Sequence, residues 1–462
     1  MWNLSIEYIY LISIILFIIG LKKLGHPETA RKGNLIAAAG MGLAIIVTLF
    51  TPLEGASNNY LWVVAGMLVG SAIGFVAAKK VLMTKMPEMV SLFNGLGGAC
   101  SMLIAIVELN NMGPEASLGN AQGLTTIFAL FIGSISFTGS IIAYGKLDGF
   151  LRDTLVLPAP QFINTGLLLV IIAYSGYLMT LPVVDFNLTL ILLALSLVYG
   201  VTFVTPIGGG DMPVVISLLN SFTGLGAAGA GLIYDNKVMV VGGILVGASG
   251  TILTILMCKA MNRSLINVVI GGFGSSAKAV GSSREEIVKE ATPSDLAIQL
   301  KYASKVLIVP GYGLAVAQAQ HTIHELEQML ENEGVNVRYA IHPVAGRMPG
   351  HMNVLLAEAD VHYDKLLELE DANKEMQSTD MVLVIGANDV VNPAAKEDPA
   401  SPIFGMPILD VETAKNVTVL KRGMSAGYAG IQNQLFFGDK TKMLFGDAKS
   451  SINKLIDEVS QV

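Results

Sequence analysis

Charge is scarce in this sequence. Only 14% of its 462 residues are Asp, Glu, Lys or Arg, while 52% are hydrophobic and the mean hydropathy is +0.60. That balance excludes an ordinary soluble protein. Cysteine is scarcer still. Cys100 and Cys258 lie in separate apolar runs without metal spacing, which excludes a disulfide framework and leaves packing as their role. His321, His324, His342, His351 and His362 have no Glu or Cys at ligand spacing beside them, so no metal site is expected. No Ser/His/Asp or Cys/His arrangement is readable either. A net charge of −7 argues against nucleic acid as a partner.

Long apolar runs are what the sequence does have. Nine are long enough to span a membrane, at about 6–21, 33–51, 60–78, 86–107, 121–144, 162–180, 184–204, 212–232 and 237–258, most of them near the ~20 residues a bilayer core requires. The first is not a cleavable signal. Residues 1–7 carry no Lys or Arg, and Lys22, Lys23, Arg31 and Lys32 follow the apolar run instead of preceding it. Cations fall in alternate connections: Lys79, Lys80 and Lys85, then Lys146 and Arg152, then Lys259 and Arg263, with only Lys237 in the intervening ones. This asymmetry places the N-terminus outside and everything after Lys259 in the cytoplasm.

An internal repeat lies within these runs. Met86-Pro87-Glu88-Met89-Val90-Ser91-Leu92-Phe93-Asn94 is echoed at Met212-Pro213-Val214-Val215-Ile216-Ser217-Leu218-Leu219-Asn220, and each copy leads into a Gly/Ala-rich stretch that permits close helix contact. Asn94 and Asn220 would sit ~12 Å into a ~30 Å core. An amide at that depth needs a hydrogen-bond partner.

After Lys259 the composition changes. Residues 1–262 are read as a membrane domain, 263–291 as a linker marked by Gly271–Ser276 and Ser282–Glu286, and 292–462 as a soluble domain opened by a capped helix start at Thr292-Pro293-Ser294-Asp295. In the soluble domain, Val306 to Val309 reads as a buried strand that turns through Gly311-Tyr312-Gly313 into a helix running to Glu333. Gly311 suits a tight turn and Gly313 a close phosphate, although Val316 stands where a third small residue is usual. Further strands are expected at 336–341, 365–369, 381–385, 407–409 and 417–420. The expected fold is therefore a polytopic α-helical membrane domain of about nine spans, followed by a doubly wound, Rossmann-like α/β domain with a parallel sheet.

The mouths of those strands carry the unusual residues. The second strand ends on Ile341-His342-Pro343, without the carboxylate that holds the ribose of NAD. Lys421-Arg422 ends another strand and suits a 2′-phosphate. With no acid–base pair readable, the domain suits direct hydride transfer between two nicotinamides, in which no protein group moves a proton on the substrate.

The motifs Pro310-Gly311-Tyr312-Gly313, His342 through Arg347, Pro349 through Glu358, Gly386 through Asp389, Asn392 through Ala395, Lys421-Arg422, Gly427 through Gly430 and Gly446-Asp447-Ala448 resemble those of the beta subunit of proton-translocating NAD(P) transhydrogenase. Gly209 through Pro213 and Cys258 through Ser264 extend the resemblance into the membrane part, so that it covers essentially the whole chain. It implies an NADP(H)-binding domain joined to part of a proton channel in a bacterial inner membrane, with NAD(H) on a partner alpha subunit that adds further membrane helices. A dimer of alpha–beta units embedded in lipid is implied as well. By motif position, Gly311, Gly313, Val316 and Arg347 would hold the pyrophosphate and Lys421 and Arg422 the 2′-phosphate, while Tyr428 would close over the nucleotide. Asp389 would stand near the nicotinamide and take the catalytic role. Tyr312, Ala317, His342, Val344, Ala345, Gly346, Gly386, Ala387, Asn388, Gly427, Ala429, Gly430, Gly446 and Asp447 complete the implied cofactor site. Asp211, Asn220 and Ser249 would belong to the channel, with Asn94 where other members carry histidine. Ala248 also replaces a serine. The alternative is an ion transporter whose soluble domain only senses NADP(H).

Overall fold

The computed structural model describes residues 2–51, 59–112, 117–151, 159–183, 185–208, 211–262, 264–265 and 288–462. Most of the expected linker, with its Gly271–Ser276 and Ser282–Glu286 stretches, lies outside the described residues, as do Arg152, Gly209, Gly210 and Arg263. The chain falls into two compact units, one built of long helices and one around a β-sheet.

The helical unit draws on α1 (Trp2–Leu24), α2 (Pro27–Phe50), α3 (Tyr60–Lys80), α4 (Met86–Asn111), α5 (Ala121–Leu147), α6 (Pro160–Thr180), α7 (Phe186–Val204), α8 (Met212–Ile233) and α9 (Lys237–Ala260). Eight of these, α2 to α9, are long and apolar enough to cross a membrane. The run in α1 also takes in Glu7, Lys22 and Lys23. Proline opens α2, α4 and α6 in the first turn, where its missing N–H costs nothing. Asn120 and Asp185 cap α5 and α7 by accepting the N–H groups of Gly123 and Asn187. Both copies of the repeat open helices, α4 and α8.

In lipid, burial of apolar surface does not drive one helix against another, so contact depends on backbones coming close. Gly98 and Gly133 provide that between α4 and α5: a Cβ on Gly133 would fall 2.7 Å from the Met102 nitrogen. Gly224 and Gly243 do the same for α8 and α9, with 2.4 Å to the Gly247 nitrogen and 2.4 Å to the Ala228 nitrogen.

Among the described residues, the other unit holds six parallel strands: β1 (Lys305–Pro310), β2 (Asn336–Ala340), β3 (Leu366–Leu367), β4 (Met381–Ile385), β5 (Asn416–Lys421) and β6 (Thr441–Phe445). Their order is β3-β2-β1-β4-β5-β6, and every pairing is parallel. This is the doubly wound order, whose crevice lies where the chain reverses direction between β1 and β4. Both central strands are buried along nearly their whole length, as helices on both faces of a parallel sheet demand.

Two expectations are corrected here. The segment 407–409 is not a strand, although Ile408 and Leu409 are buried. Side chains take the polar groups a ladder would use: the Ile408 carbonyl accepts from Asn373 Nδ2 at 2.9 Å, the Pro407 carbonyl from His342 Nε2 at 2.7 Å. The sixth strand is Thr441–Phe445 at the sheet edge, where a polar Lys442 interrupts the apolar pattern. The helix expected to run from the glycine turn to Glu333 is also broken. Gln318 adopts φ 50°, dividing it into Tyr312–Val316 and Gln320–Asn332.

The helix contacts give a first prediction. Gly133→Val should destabilise the helical unit by about 1–3 kcal/mol, the usual cost of overpacking, whereas Gly176→Val, which meets nothing within 4 Å, should have a much smaller effect. Thermal unfolding in detergent measures the difference; equal losses would contradict the packing account.

Candidate functional site

At the switch point, the turns after β1 and β4 press backbone against backbone. Gly311 N–H donates to the Ile385 carbonyl at 2.9 Å, and Gly313 N–H donates to the Gly386 carbonyl at 3.0 Å. Gly386 sits at φ +67°, and a Cβ there would fall 2.4 Å from Gly313 Cα, while one on Gly311 would fall 2.4 Å from the Ala387 nitrogen. Only glycine satisfies both the conformation and the approach. Gly313 also joins the two turns through its N–H, a task that motif position alone did not announce.

These turns floor a cavity of about 670 Å³, within the range of small-ligand sites. Of the residues singled out in the sequence, Gly311, Tyr312, Gly313, Val316, Ala317, Val344, Ala345, Gly346, Gly386, Ala387, Asn388, Asp389, Lys421, Arg422, Gly427, Tyr428, Ala429, Gly446 and Asp447 line it, and so does Asp211, which was expected in the channel; Arg347 is not among the lining residues. Gly430, at φ +69°, shapes the same loop just beyond the lining residues. Asp447 also caps the helix Ala448–Gln461 by accepting the Ser450 N–H at 3.3 Å.

Three loops meet at the cavity's edge, where Tyr312 and Tyr428 line it and Arg347, just beyond the lining residues, joins them. The Arg347 guanidinium carbon lies 4.5 Å from the centre of the Tyr312 ring, and Arg347 Nε donates to the Tyr428 hydroxyl at 3.0 Å. Arg347 follows β2, Tyr312 follows β1 and Tyr428 follows β5, so a cation–π contact and one hydrogen bond draw loops from both halves of the sheet together. The main chain of Arg347 is held in turn by His351, whose Nδ1 accepts the Arg347 N–H at 3.1 Å. Buried His351 was not among the expected site residues, although it lies in one of the quoted motifs.

His342 does not line the cavity. It is 1% exposed, donating from Nε2 to the Pro407 carbonyl at 2.7 Å and accepting the Val344 N–H at Nδ1 over 3.2 Å. Burial pushes its pKa down to about 4 against the Pro407 hydrogen bond, so the ring is neutral at physiological pH. It fixes the loop that carries Val344 to Gly346.

The charged residues occupy three different environments. Burial raises the pKa of Asp389, opposed by the N–H groups of Ala429 and Tyr428 and the charge of Lys421; Asp389 Oδ2 accepts the Ala429 N–H at 3.0 Å. Gly427 gives this carboxylate room, since a Cβ there would lie 2.4 Å from Oδ1. Burial lowers the pKa of Lys421, opposed by the charge of Asp389. Its ammonium donates to the Ser425 carbonyl and lies 4.9 Å from the centre of the Phe436 ring. Arg422 is exposed and has no ion pair among the described residues. The Lys421-Arg422 pair thus splits into an inward and an outward cation.

In the helical unit, Asn94 is 7% exposed and Asn220 half-buried. Thr223 Oγ1 donates to the Asn94 carbonyl at 3.0 Å and lies 2.6 Å from Ser136 Oγ. These two hydroxyls escaped the sequence reading because single Ser and Thr residues in apolar helices follow no period. Half-buried Asp211 immediately precedes α8 but falls in the sheet unit, where it lines the cavity, its N–H donating to the Gly208 carbonyl at 3.2 Å. Ser249 is exposed on α9 and donates to the Val246 carbonyl at 3.0 Å, so the structure does not gather it with Asn94.

The family described as NAD(P) transhydrogenase beta subunit matches residues 6–458. Two curated relatives called NAD(P) transhydrogenase subunit beta, one from Rhodospirillum rubrum and one from a designated strain of it, are each 48% identical over 462 residues, covering 98% of this chain and 98% of the relative.

The buried histidine sets a pH dependence. A base whose folded pKa of about 4 lies below an unfolded value of ~6.5 contributes stability that is fully present above pH ~6.5 and lost as pH falls towards 4, in total about 3 kcal/mol. Denaturant unfolding of the sheet unit should therefore show His342→Gln less stable than the native chain at pH 7.5, with the gap narrowing by pH 4.5. A gap independent of pH would contradict this role.

Proposed function

The chain belongs to the NAD(P) transhydrogenase beta-subunit family, an oxidoreductase component, and from that premise we propose that it is the NADP(H)-binding, membrane-spanning subunit of an enzyme coupling hydride transfer between NADH and NADP+ to proton translocation. Family membership decides against a transporter that only senses the nucleotide. The observation that carries the cofactor assignment is the cavity at the β1–β4 switch point, with Lys421 and Arg422 at the mouth of β5 and no carboxylate ending β2. NAD(H) then belongs to the alpha partner. Residues 1–262 form the membrane channel domain, 263–291 the linker and 292–462 the NADP(H) domain. The assembly is a dimer of alpha–beta units in a bacterial inner membrane, N-terminus outside and sheet domain in the cytoplasm.

The residues present fit a dinucleotide phosphate. Arg422 offers a planar donor fork to a 2′-phosphate, and Lys421 adds a point charge once it leaves Ser425. Arg347, held on Tyr312 and Tyr428 just beyond the lining residues, is assigned to the pyrophosphate with Gly311, Gly313 and Val316. Tyr428 closes the cavity from the β5 side. The cofactor, when bound, supplies the hydride chemistry, and the protein's task is to hold it and exclude water. Asp389 links the nucleotide to protons, because the N–H groups that steady its carboxylate belong to the loop that closes.

In the membrane, Asn94, Asp211, Asn220 and Ser249 belong to the proton path. Asparagine relays hydrogen bonds through water but takes up no proton at physiological pH. The alternating protonation is therefore supplied by a His, Asp or Glu of the partner subunit, packed against the small-residue face that follows Asn94.

Measured affinities test the cofactor assignment. The chain should bind NADP(H) far more tightly than NAD(H), and Lys421→Ala with Arg422→Ala should remove most of the preference, on the order of 1.5–3 kcal/mol. Equal affinity of the unsubstituted chain for both cofactors would overturn it.

A further inference from the structure

The loop after β4 and the loop after β5 both face the cavity, and two buried amides tie them together. Asn392, fully buried, accepts the Ala394 N–H at 3.1 Å in its own loop and donates across to the Gln432 carbonyl at 3.1 Å. Asn433, 1% exposed, accepts the Leu435 N–H at 3.0 Å in its own loop and donates back to the Asn388 carbonyl at 3.0 Å. Each amide thus fixes a local turn with its oxygen and reaches the other loop with its nitrogen. The two form a reciprocal tie. Asparagine is the residue this needs, since a carboxylate of the same shape has no N–H to donate.

The tie brackets the contact between Asp389 and the closing loop. Asn388, held by Asn433, immediately precedes Asp389, and Gln432, held by Asn392, follows Ala429 by three residues. With both main-chain segments fixed, Asp389 Oδ2 meets the Ala429 N–H at 3.0 Å, and Lys421 is the charged group facing that carboxylate.

We propose that Asn392 and Asn433 are positioning residues of the nucleotide site, holding the two loops in one frame so that Asp389 stays against the Ala429 N–H and the cavity keeps the shape that grips NADP(H). This rests on the cofactor reading above. Neither amide lines the cavity, so both act through Asp389 and the loop instead of through the ligand. Purely structural amides would affect stability alone.

The test uses the chain assembled with its partner subunit in membrane vesicles, comparing KM for NADPH, kcat and the pH profile of turnover. Asn433→Ala should raise KM by about ten-fold, the cost of one buried hydrogen bond, and displace the pH profile. In an Asp389→Asn background it should shift that profile no further. Should Asn433→Ala fail to assemble, Asn433→Asp keeps the Leu435 bond, loses the donation to Asn388 and should show the same pattern; Asn392→Ala probes the tie from its other side. Variants with lowered thermal stability but native KM and pH profile would overturn the proposal. So would pH effects of the 433 and 389 substitutions that simply add. Wild-type affinity indifferent to the 2′-phosphate would overturn the cofactor reading and this proposal with it, whereas a clear NADPH preference with an unmoved profile overturns the proposal alone.

Discussion

The contact between Gly311-Tyr312-Gly313 and Gly386 is the constraint on which the sheet unit's function depends. Two turns from adjacent central strands share hydrogen bonds across a gap that no Cβ would fit. Such an approach fixes the cavity floor to the core of the sheet, so the walls can be built from longer loops without the floor shifting. Position, more than chemistry, is what the glycines contribute. The same principle operates in the helical unit, where Gly133 and Gly243 let helix backbones touch.

On that floor, the charges are arranged so that each influences the next. Asp389 is pushed towards its neutral form by burial and steadied as a carboxylate by the loop bearing Tyr428 and Ala429, with Lys421 close enough to oppose the burial. A loop movement that withdraws Ala429 takes away a hydrogen bond favouring the charged form, and proton affinity rises. Loop position and protonation are therefore linked through one carboxylate. The proposed coupling of hydride transfer to proton movement needs such a link, and this carboxylate is the group proposed to provide it.

What the sequence revealed depended on the range of each signal. Apolar length marked α2 to α9, because a bilayer imposes a length that no local turn preference can mimic. Strands β1 and β4 stood out as continuous Val, Ile and Leu runs, as buried parallel strands do. At the sheet edge the signal failed. Lys442 interrupts β6, while Pro407 to Leu409 looks like a strand yet spends its carbonyls on His342 and Asn373. The cavity-lining glycines and the Lys421-Arg422 pair could be picked out by motif. The roles of His342, Asn392 and Asn433 could not, because each satisfies main-chain groups far away in sequence, and one polar residue carries no period to announce that.

The account stands on Asp389 responding to the nucleotide, and proton uptake measures this directly. The detergent-solubilised chain, titrated with NADP+ and with NADPH in weakly buffered solution across pH 5 to 8, should take up or release protons to different extents with the two forms. Substituting Asp389→Asn should abolish that difference while leaving binding of both nucleotides detectable. Identical proton exchange with both forms, or a difference that survives Asp389→Asn, would contradict the coupling assigned to this carboxylate.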